Sequence, residues 1–485
     1  MIVSRTLKDG EKKMKDDFSD LDGIGQGALV RSGEVSAGEL VEAAIRRIEK
    51  MDPVIHALAS VDFDNARKKA ETTGQGGLFR GVPFLIKDII SYPGLRHAMG
   101  SRLFAQNIAR EATPFSERID ESGLIPLGKT TTSEFGLLGS TETLLCGKTH
   151  NPWNLEYSAT GSSGGSAAAV ASRMVPLAHA EDGGGSIRIP ASACGLFGFK
   201  PSANRCVPAI PVQNDFVNLV SEHCVSHSVR DSAYFLSLTE RKADDATLPP
   251  VGYVDRPIDR YLRIGFYKTI LMGDLPEKEV LNALEHTVRL CSELGHEIVE
   301  IPAPDLDGKA ISDGFFTFAG AAMDGMARMM EGLIGSPVND AHLEPFTLSL
   351  IKWYRSLPAD ALMRARSAFD NAAKIMANYM KKFDVVLCPT LARTPQKLGY
   401  LSPQLDRELL IRRTEQFAGY TPIHNIAGLP AMSVPLYITD TGLPVGSHFA
   451  APVGCEATLF GLAYQLEEAA QWTRKRPKIV EGVVL

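Results

Sequence analysis

The chain has 485 residues, 44% hydrophobic and 22% charged, with a formal net charge of −6. That length and balance are those of a globular protein able to bury a large core. The acidic excess leaves no electrostatic footprint for nucleic acid, so no nucleic-acid partner is expected.

Residues 1–17 are polar and charged and are expected to form a loose start. The pattern over 22–52 is helical, with Ser36 three residues before Glu39 in capping-box spacing. Short apolar runs bounded by Gly or Pro follow at 81–90, 123–132, 174–180, 384–390 and 432–438, as buried strands require. Helical patterns lie between and after them, at 278–295 and 456–472 among others. Alternating strands and helices predict an α/β fold whose large sheet is covered by helices on both faces. No repeat and no linker divides the chain, so one domain over 18–485 is expected. In 306–369, Met323, Met326, Met329 and Met330 recur at near-helical spacing. A core-facing helix is the plainer reading, and an adaptable apolar pocket wall the sharper one.

The seven cysteines are scattered, odd in number and without a C-x-x-C pair, which predicts free thiols in a reducing compartment. No uncharged apolar run reaches the ~18 residues of a membrane span, and the N-terminus lacks an apolar signal core. A cytoplasmic chain with no membrane partner is therefore expected. The eleven histidines show no metal spacing, so neither a metal nor another cofactor is expected.

Two motif matches mislead. Residues 123–130, GLIPLGKT, fit the phosphate-loop pattern, but the middle Leu-Ile-Pro-Leu reads as a strand and no helix start follows. Residues 161–165, GSSGG, fit a nucleophile elbow centred on Ser163, yet a polar, turn-rich segment precedes them instead of a strand. An esterase of the Ser-His-Asp type with Ser163 as nucleophile stays a rival reading.

The densest signal is 160–202, where two Gly/Ser knots, TGSSGGS and DGGGS, flank an Ala/Val/Leu stretch. Glycine packed in an apolar segment means close backbone approach or positive φ, and the serines suggest a substrate as the neighbour. Acyl-bond hydrolysis without His or metal needs a nucleophile, a base and oxyanion donors. Ser186 closes Asp182-Gly183-Gly184-Gly185-Ser186, whose glycine amides and own amide can converge on an oxyanion. Lys87, at the end of the apolar run 81–87, is the best base, because desolvation disfavours its charged form. The plainer role for Lys87 is an ion pair with Asp88. Ser162 or Ser163 could relay a proton between Lys87 and Ser186.

These residues resemble the amidase signature family, which shares a Ser-cisSer-Lys triad. The resemblance spans most of the chain: the opening helix, GVPFLIKD, GKTTTSEFG, HNPWNLEYSATGSSGGS, NIAGLPAMSVPLYITDTGLPVGSHF and the final helix. It implies one α/β domain around a mixed central sheet, with a core motif region at 81–202 and a variable substrate side at about 306–369. It implies Ser186 as nucleophile, Ser162 as the cis-bonded bridging serine and Lys87 as base. Asp182 and Arg188 would orient the loop, or simply pair, with Ser163 in the same supporting shell. Gly136 and Leu137 fall where members line an acyl channel, though both could merely pack. Where the family usually reads Gly-Thr/Ser-Asp, this chain has Ala180-Glu181-Asp182, and the extra carboxylate could perturb its neighbours or point away.

The implied activity is cofactor-independent hydrolysis of small or medium apolar amides, with cyclic amides, aryl amides, carbamates and esters in range. The HNPWN spacing, the IRIPAS run and the QLEEAAQWTRKRP ending resemble the nylon-oligomer hydrolases that open the 6-aminohexanoate cyclic dimer. The glutaminase subunit of a tRNA-dependent amidotransferase and a non-catalytic binding protein on the same fold are the alternatives. The expected partner is a small-molecule amide, and a homodimer is compatible with the sequence.

Overall fold

The computed structural model describes residues 17–72, 74, 77–209, 219–242 and 245–482. The loose start expected at 1–17 lies outside them, apart from Asp17. The first three strands are β1 Leu58–Val61, β2 Pro83–Lys87 and β3 Ile125–Thr130. Four short strands follow: β4 Glu142–Thr143, β5 Gly147–Lys148, β6 His150–Asn151 and β7 Asn154–Ser158. Then come β8 Leu177–Asp182, β9 Phe197–Lys200, β10 Ser221–Ser226, β11 Arg263–Phe266 and β12 Glu297–Glu300. The last are β13 Val385–Pro389, β14 Ala431–Ile438 and β15 Pro444–Ala450.

Eleven of these form one mixed sheet in the order β1-β3-β2-β8-β10-β9-β14-β15-β13-β11-β12. All five apolar runs picked out in the sequence contribute a strand to it. The chain therefore has the α/β fold with a large mixed sheet that its sequence predicts.

Side-chain alternation shows that both faces are covered. Leu85 of β2 and Ala178 and Ala180 of β8 pack with helices Ala37–Ile55 and Gly164–Ala171. Phe84, Ile86 and Leu177 point the other way, toward Phe115 and Ile119 of helix Pro114–Ser122 and Phe235 of helix Val229–Thr239. A period of two with apolar residues on both faces is what a fully buried strand requires. Among the described residues, no helix is long and apolar enough to cross a membrane.

Two sequence expectations need correction. The helical pattern over 22–52 is two helices, Gly23–Ser32 and Ala37–Ile55, because Gly33 takes a left-handed conformation and caps the first. The second starts at the expected capping box, with the Ser36 side chain bonded to the Glu39 amide and the reciprocal bond present. The glycines of TGSSGGS crowd protein and not only substrate: a Cβ on Gly165 would lie 2.6 Å from the Ala57 carbonyl oxygen. The small residues of Gly164–Ala171 let that helix settle close to β3 and β8, and every one of them is buried.

The phosphate-loop lookalike is structural, as the sequence indicates. Gly123 caps helix Pro114–Ser122, and Lys129 sits inside the buried strand β3, donating to the Ile90 carbonyl at 2.6 Å.

Candidate active site

Strands β2 and β8 are parallel neighbours, with Leu85 paired to Ala178. Their carboxyl ends therefore emerge side by side, the usual place for a site in an α/β sheet. Strand β2 ends at Lys87, and β8 ends at Glu181 and Asp182. Between them runs the loop before helix Gly164–Ala171, which carries Ser162.

Lys87 and Ser162 are wholly buried, and Lys87 Nζ donates to Ser162 Oγ at 2.8 Å. The Gly161–Ser162 peptide bond is cis, the isomer that the resemblance implies at the bridging serine. Lys87 does not pair with Asp88, whose carboxylate faces Arg96 and Lys129 at 3.7 and 4.0 Å. Burial lowers the Lys87 pKa, while the Glu181 and Glu222 carboxylates oppose that shift.

Ser186 lines a cavity of about 1060 Å³, measured to its open mouth. Gly136, Leu137, Gly161, Glu181, Gly183 and Gly184 share that wall. The Ser186 hydroxyl makes no hydrogen bond to a described residue, and the Ser162–Ser186 leg of the expected relay is not a hydrogen bond here. Contacts of this kind commonly tighten only in the Michaelis complex.

The oxyanion loop differs from expectation in one donor. The Gly185 amide is taken by Asp182 Oδ1 at 2.6 Å, so it faces away from the cavity. The amides of Gly183, Gly184 and Ser186, residues of the cavity lining, donate to no described residue. Gly185 has φ 129°, a conformation that favours glycine, and a Cβ there would lie 2.7 Å from Ile189 Cδ1. The turn that presents the neighbouring amides thus depends on glycine at this position.

Asp182 anchors the loop. Its carboxylate accepts from Arg188 Nε at 2.9 Å and Nη2 at 2.8 Å, and from the Ile187 amide at 3.1 Å. Burial pushes the Asp182 carboxyl up, but Arg188 and the hydrogen bonds outweigh it and hold the group well below the usual carboxylate range. Arg188 also donates to Asn425 Oδ1 at 2.6 Å and His448 Nε2 at 2.9 Å. Burial keeps His448 neutral, which suits an acceptor. Thr421 Oγ1 donates to the Gly184 carbonyl at 2.7 Å. Asn425, His448 and Thr421 were not singled out in the sequence, though Asn425 and His448 lie in the quoted segment NIAGLPAMSVPLYITDTGLPVGSHF.

Ser163 is not the centre of an elbow. The segment before it, expected without a strand, holds β7, but β7 ends at Ser158 and four irregular residues separate it from Ser163. The Ser163 hydroxyl is buried and donates to the Glu181 carbonyl at 3.2 Å. It supports the loop from behind and does not face the cavity.

Glu181 points inward: Oε1 lies 3.5 Å from Lys87 Nζ, and burial raises its pKa. Across the ladder, Glu222 pairs with Glu181, and its Oε2 lies 2.9 Å from His179 Nε2. Burial takes Glu222 up to about 8 and His179 down to about 3. Both shifts favour a hydrogen bond between neutral groups over an ion pair at this contact.

The methionine-rich segment lies on helix Gly308–Ile334. Its residues Ile311, Phe315 and Phe316 wall the Ser186 cavity, while Met323 and Met326 line a second cavity beside it. Met329 is exposed, so neither a simple core face nor a simple pocket wall describes the whole segment.

A family model described as Amidase matches residues 39–460. The chain belongs to the amidase family. This amidase is 36% identical over 477 residues to AmiC of Mycobacterium tuberculosis, itself provisionally named an amidase, with 96% of this chain and 98% of that one covered. It is 31% identical over 485 residues to the 6-aminohexanoate-cyclic-dimer hydrolase of a Pseudomonas species, covering 95% and 97%. A solved structure of 6-aminohexanoate cyclic dimer hydrolase superposes with a TM-score of 0.88 at 30% identity, covering 95% of this chain and 99% of that one. The amidase is a hydrolase of carbon–nitrogen bonds, and its substrate class is small-molecule amides.

Proposed function

We propose that this amidase hydrolyses small or medium amides with an apolar acyl group through a Ser186 acyl-enzyme, with Ser162 as relay and Lys87 as base. The observation that carries this reading is the 2.8 Å hydrogen bond from buried Lys87 to buried Ser162, beside a cavity that holds Ser186 and three uncommitted amides.

Desolvation favours neutral Lys87, which accepts the Ser162 hydroxyl proton as Ser162 accepts that of Ser186. Ser186 Oγ then attacks the acyl carbon. The carbonyl oxygen becomes an oxyanion held by the amides of Gly183, Gly184 and Ser186, fixed in place by Asp182 and Arg188. The relay returns the proton to the leaving nitrogen as the C–N bond breaks. Water deacylates the enzyme by the same path in reverse.

The apolar side chains of Leu137, Ile189, Leu271, Ile311, Phe315 and Phe316 suit an apolar acyl group. The named relatives extend the range worth assaying to cyclic amides, and the same acyl-enzyme chemistry to aryl amides, carbamates and esters. The test is hydrolysis of hexanoyl anilide and of a cyclic amide by the purified chain, with mass-spectrometric mapping of a fluorophosphonate label. Turnover with the label on Ser186 is expected. A label elsewhere, or undiminished turnover by Ser186→Ala, overturns the assignment.

A further inference from the structure

Beside the Ser186 cavity lies a second one, of about 1350 Å³ measured to its mouth. The two share Phe135, Glu181 and Val220 as a common wall. Both linings are mainly apolar, and the second sets Glu222, Asn204 and an Arg241 already paired with Asp245 beside Met323 and Met326.

Glu181 stands at the junction with only 8% of its surface exposed. Its Oε1 faces Lys87, but Oε2 is buried without a hydrogen-bond partner. A buried carboxylate oxygen left unsatisfied is costly, and it is the feature a ligand donor would relieve. The charges facing it do not fill the role. Lys87 is needed neutral as base, burial keeps His179 neutral and it is bonded to Glu222, and Glu222 is itself a carboxyl that offers no counter-charge. The position is also where this sequence departs from the Thr/Ser usual in the resemblance.

We propose that the second cavity receives the amine portion of the substrate, and that Glu181 accepts a hydrogen bond there from an ammonium group carried on that portion. This rests on the acyl-enzyme reading above, with the acyl group in the first cavity. A substrate ammonium supplies the counter-charge that Glu181 lacks once Lys87 is neutral, and a charge-assisted bond in a desolvated site is among the stronger ones. It also disfavours a proton on Lys87 through like-charge repulsion, so binding of such a substrate readies the base. The substrate class is then mono-acylated diamines, with an apolar acyl group on one nitrogen and a free ammonium on the other.

The experiment uses hexanoyl amides of diamines of increasing spacer length, each beside the hexanoyl amide of the matching amino alcohol. For the wild type, kcat/KM is expected to favour the ammonium member by about tenfold or more at the best spacer, equivalent to about 1.4 kcal/mol. The ratio is expected to fall to about twofold or less in Glu181→Gln, whatever the absolute rates. Glu181→Ser, the residue type of the resemblance, should do the same and serves if the Gln variant does not fold. No wild-type preference at any spacer, or an equal loss on both members in both variants, overturns the proposal. Calorimetric binding of the intact amides to Ser186→Ala separates the two levels of inference. Tighter binding of the ammonium member supports the Glu181 site even if Ser186 proves not to be the nucleophile, and equal binding refutes the site even if it is.

Discussion

Lys87 Nζ and Ser162 Oγ lie 2.8 Å apart, and neither side chain has accessible surface. A lysine so placed is held by one hydroxyl and one carboxylate 3.5 Å away, and burial shields its charge from bulk solvent. In that setting it serves as a proton acceptor more readily than as a structural cation.

The leaving group decides how much this contact matters. An amine must be protonated as it departs, whereas the alkoxide of a reactive ester can leave unaided. Lys87→Ala is expected to lower kcat/KM on hexanoyl anilide by about 10²–10⁴-fold and on a p-nitrophenyl hexanoate by much less. Ser186→Ala should abolish both. Steady-state kinetics on the two substrates check this, and equal losses in Lys87→Ala would argue that Lys87 only supports the fold.

The pH profile carries a sign. Lys87 works neutral, so kcat/KM rises with pH as Lys87 loses its proton. Burial lowers that pKa and Glu181 raises it, so Glu181→Gln removes a cause that keeps Lys87 protonated. The acid limb of kcat/KM is expected to move to lower pH in Glu181→Gln. Glu222 opposes the fall of the Lys87 pKa less than Glu181 does. Glu222→Gln should therefore shift the limb less. A shift to higher pH in Glu181→Gln would show that Glu181 does not act on Lys87.

Asp182 and Arg188 form a buried, two-pronged pair under the oxyanion loop. Asp182→Asn leaves a buried guanidinium unpaired, which costs about 3–5 kcal/mol. The folded-state pKa of Asp182 is depressed below its ordinary 3.8, so the pair's stability is complete above that value and is lost only as pH falls through the folded pKa. The gap in urea midpoint between wild type and Asp182→Asn should accordingly be the same at pH 5 and pH 7. A gap that widens as pH falls from 7 to 5 would show a folded Asp182 pKa raised above 3.8 and overturn the depressed direction.

Much of this site could be read from the chain because its parts sit in short, chemically marked segments. Lys87 ends an apolar run that could only be a buried strand, and Ser186 closes a glycine run that frees amides. The rest depends on contacts that sequence spacing does not express. Asn425, His448 and Thr421 reach the Asp182 loop across more than 230 residues of chain. The Gly185 amide belongs to Asp182 because of one turn's geometry, and no count of glycines predicts which amides remain free. Phe315 and Met326 line different cavities from one helix, a division set by where that helix lies on the sheet and not by its periodicity.

Gly136 tests how tightly the site is packed around Ser162. It holds φ 71°, and a Cβ there would lie 3.3 Å from Glu181 Oε1 and 3.4 Å from Ser162 Oγ. Alanine would meet both backbone strain, about 1–2 kcal/mol for a left-handed residue, and the relay hydroxyl. Since Ser162 is fixed by Lys87 on one side, the displaced group is the hydroxyl or the Glu181 carboxylate. Gly136→Ala is expected to lower kcat by about tenfold or more through misplacement of the relay, with a smaller change in KM. Gly139→Ala is the control: it lies on the same cavity wall, its nearest contact is Leu401 at 3.5 Å, and it has no catalytic group within reach. Comparable kcat losses in both variants would trace the effect to added bulk on the cavity wall and not to Ser162.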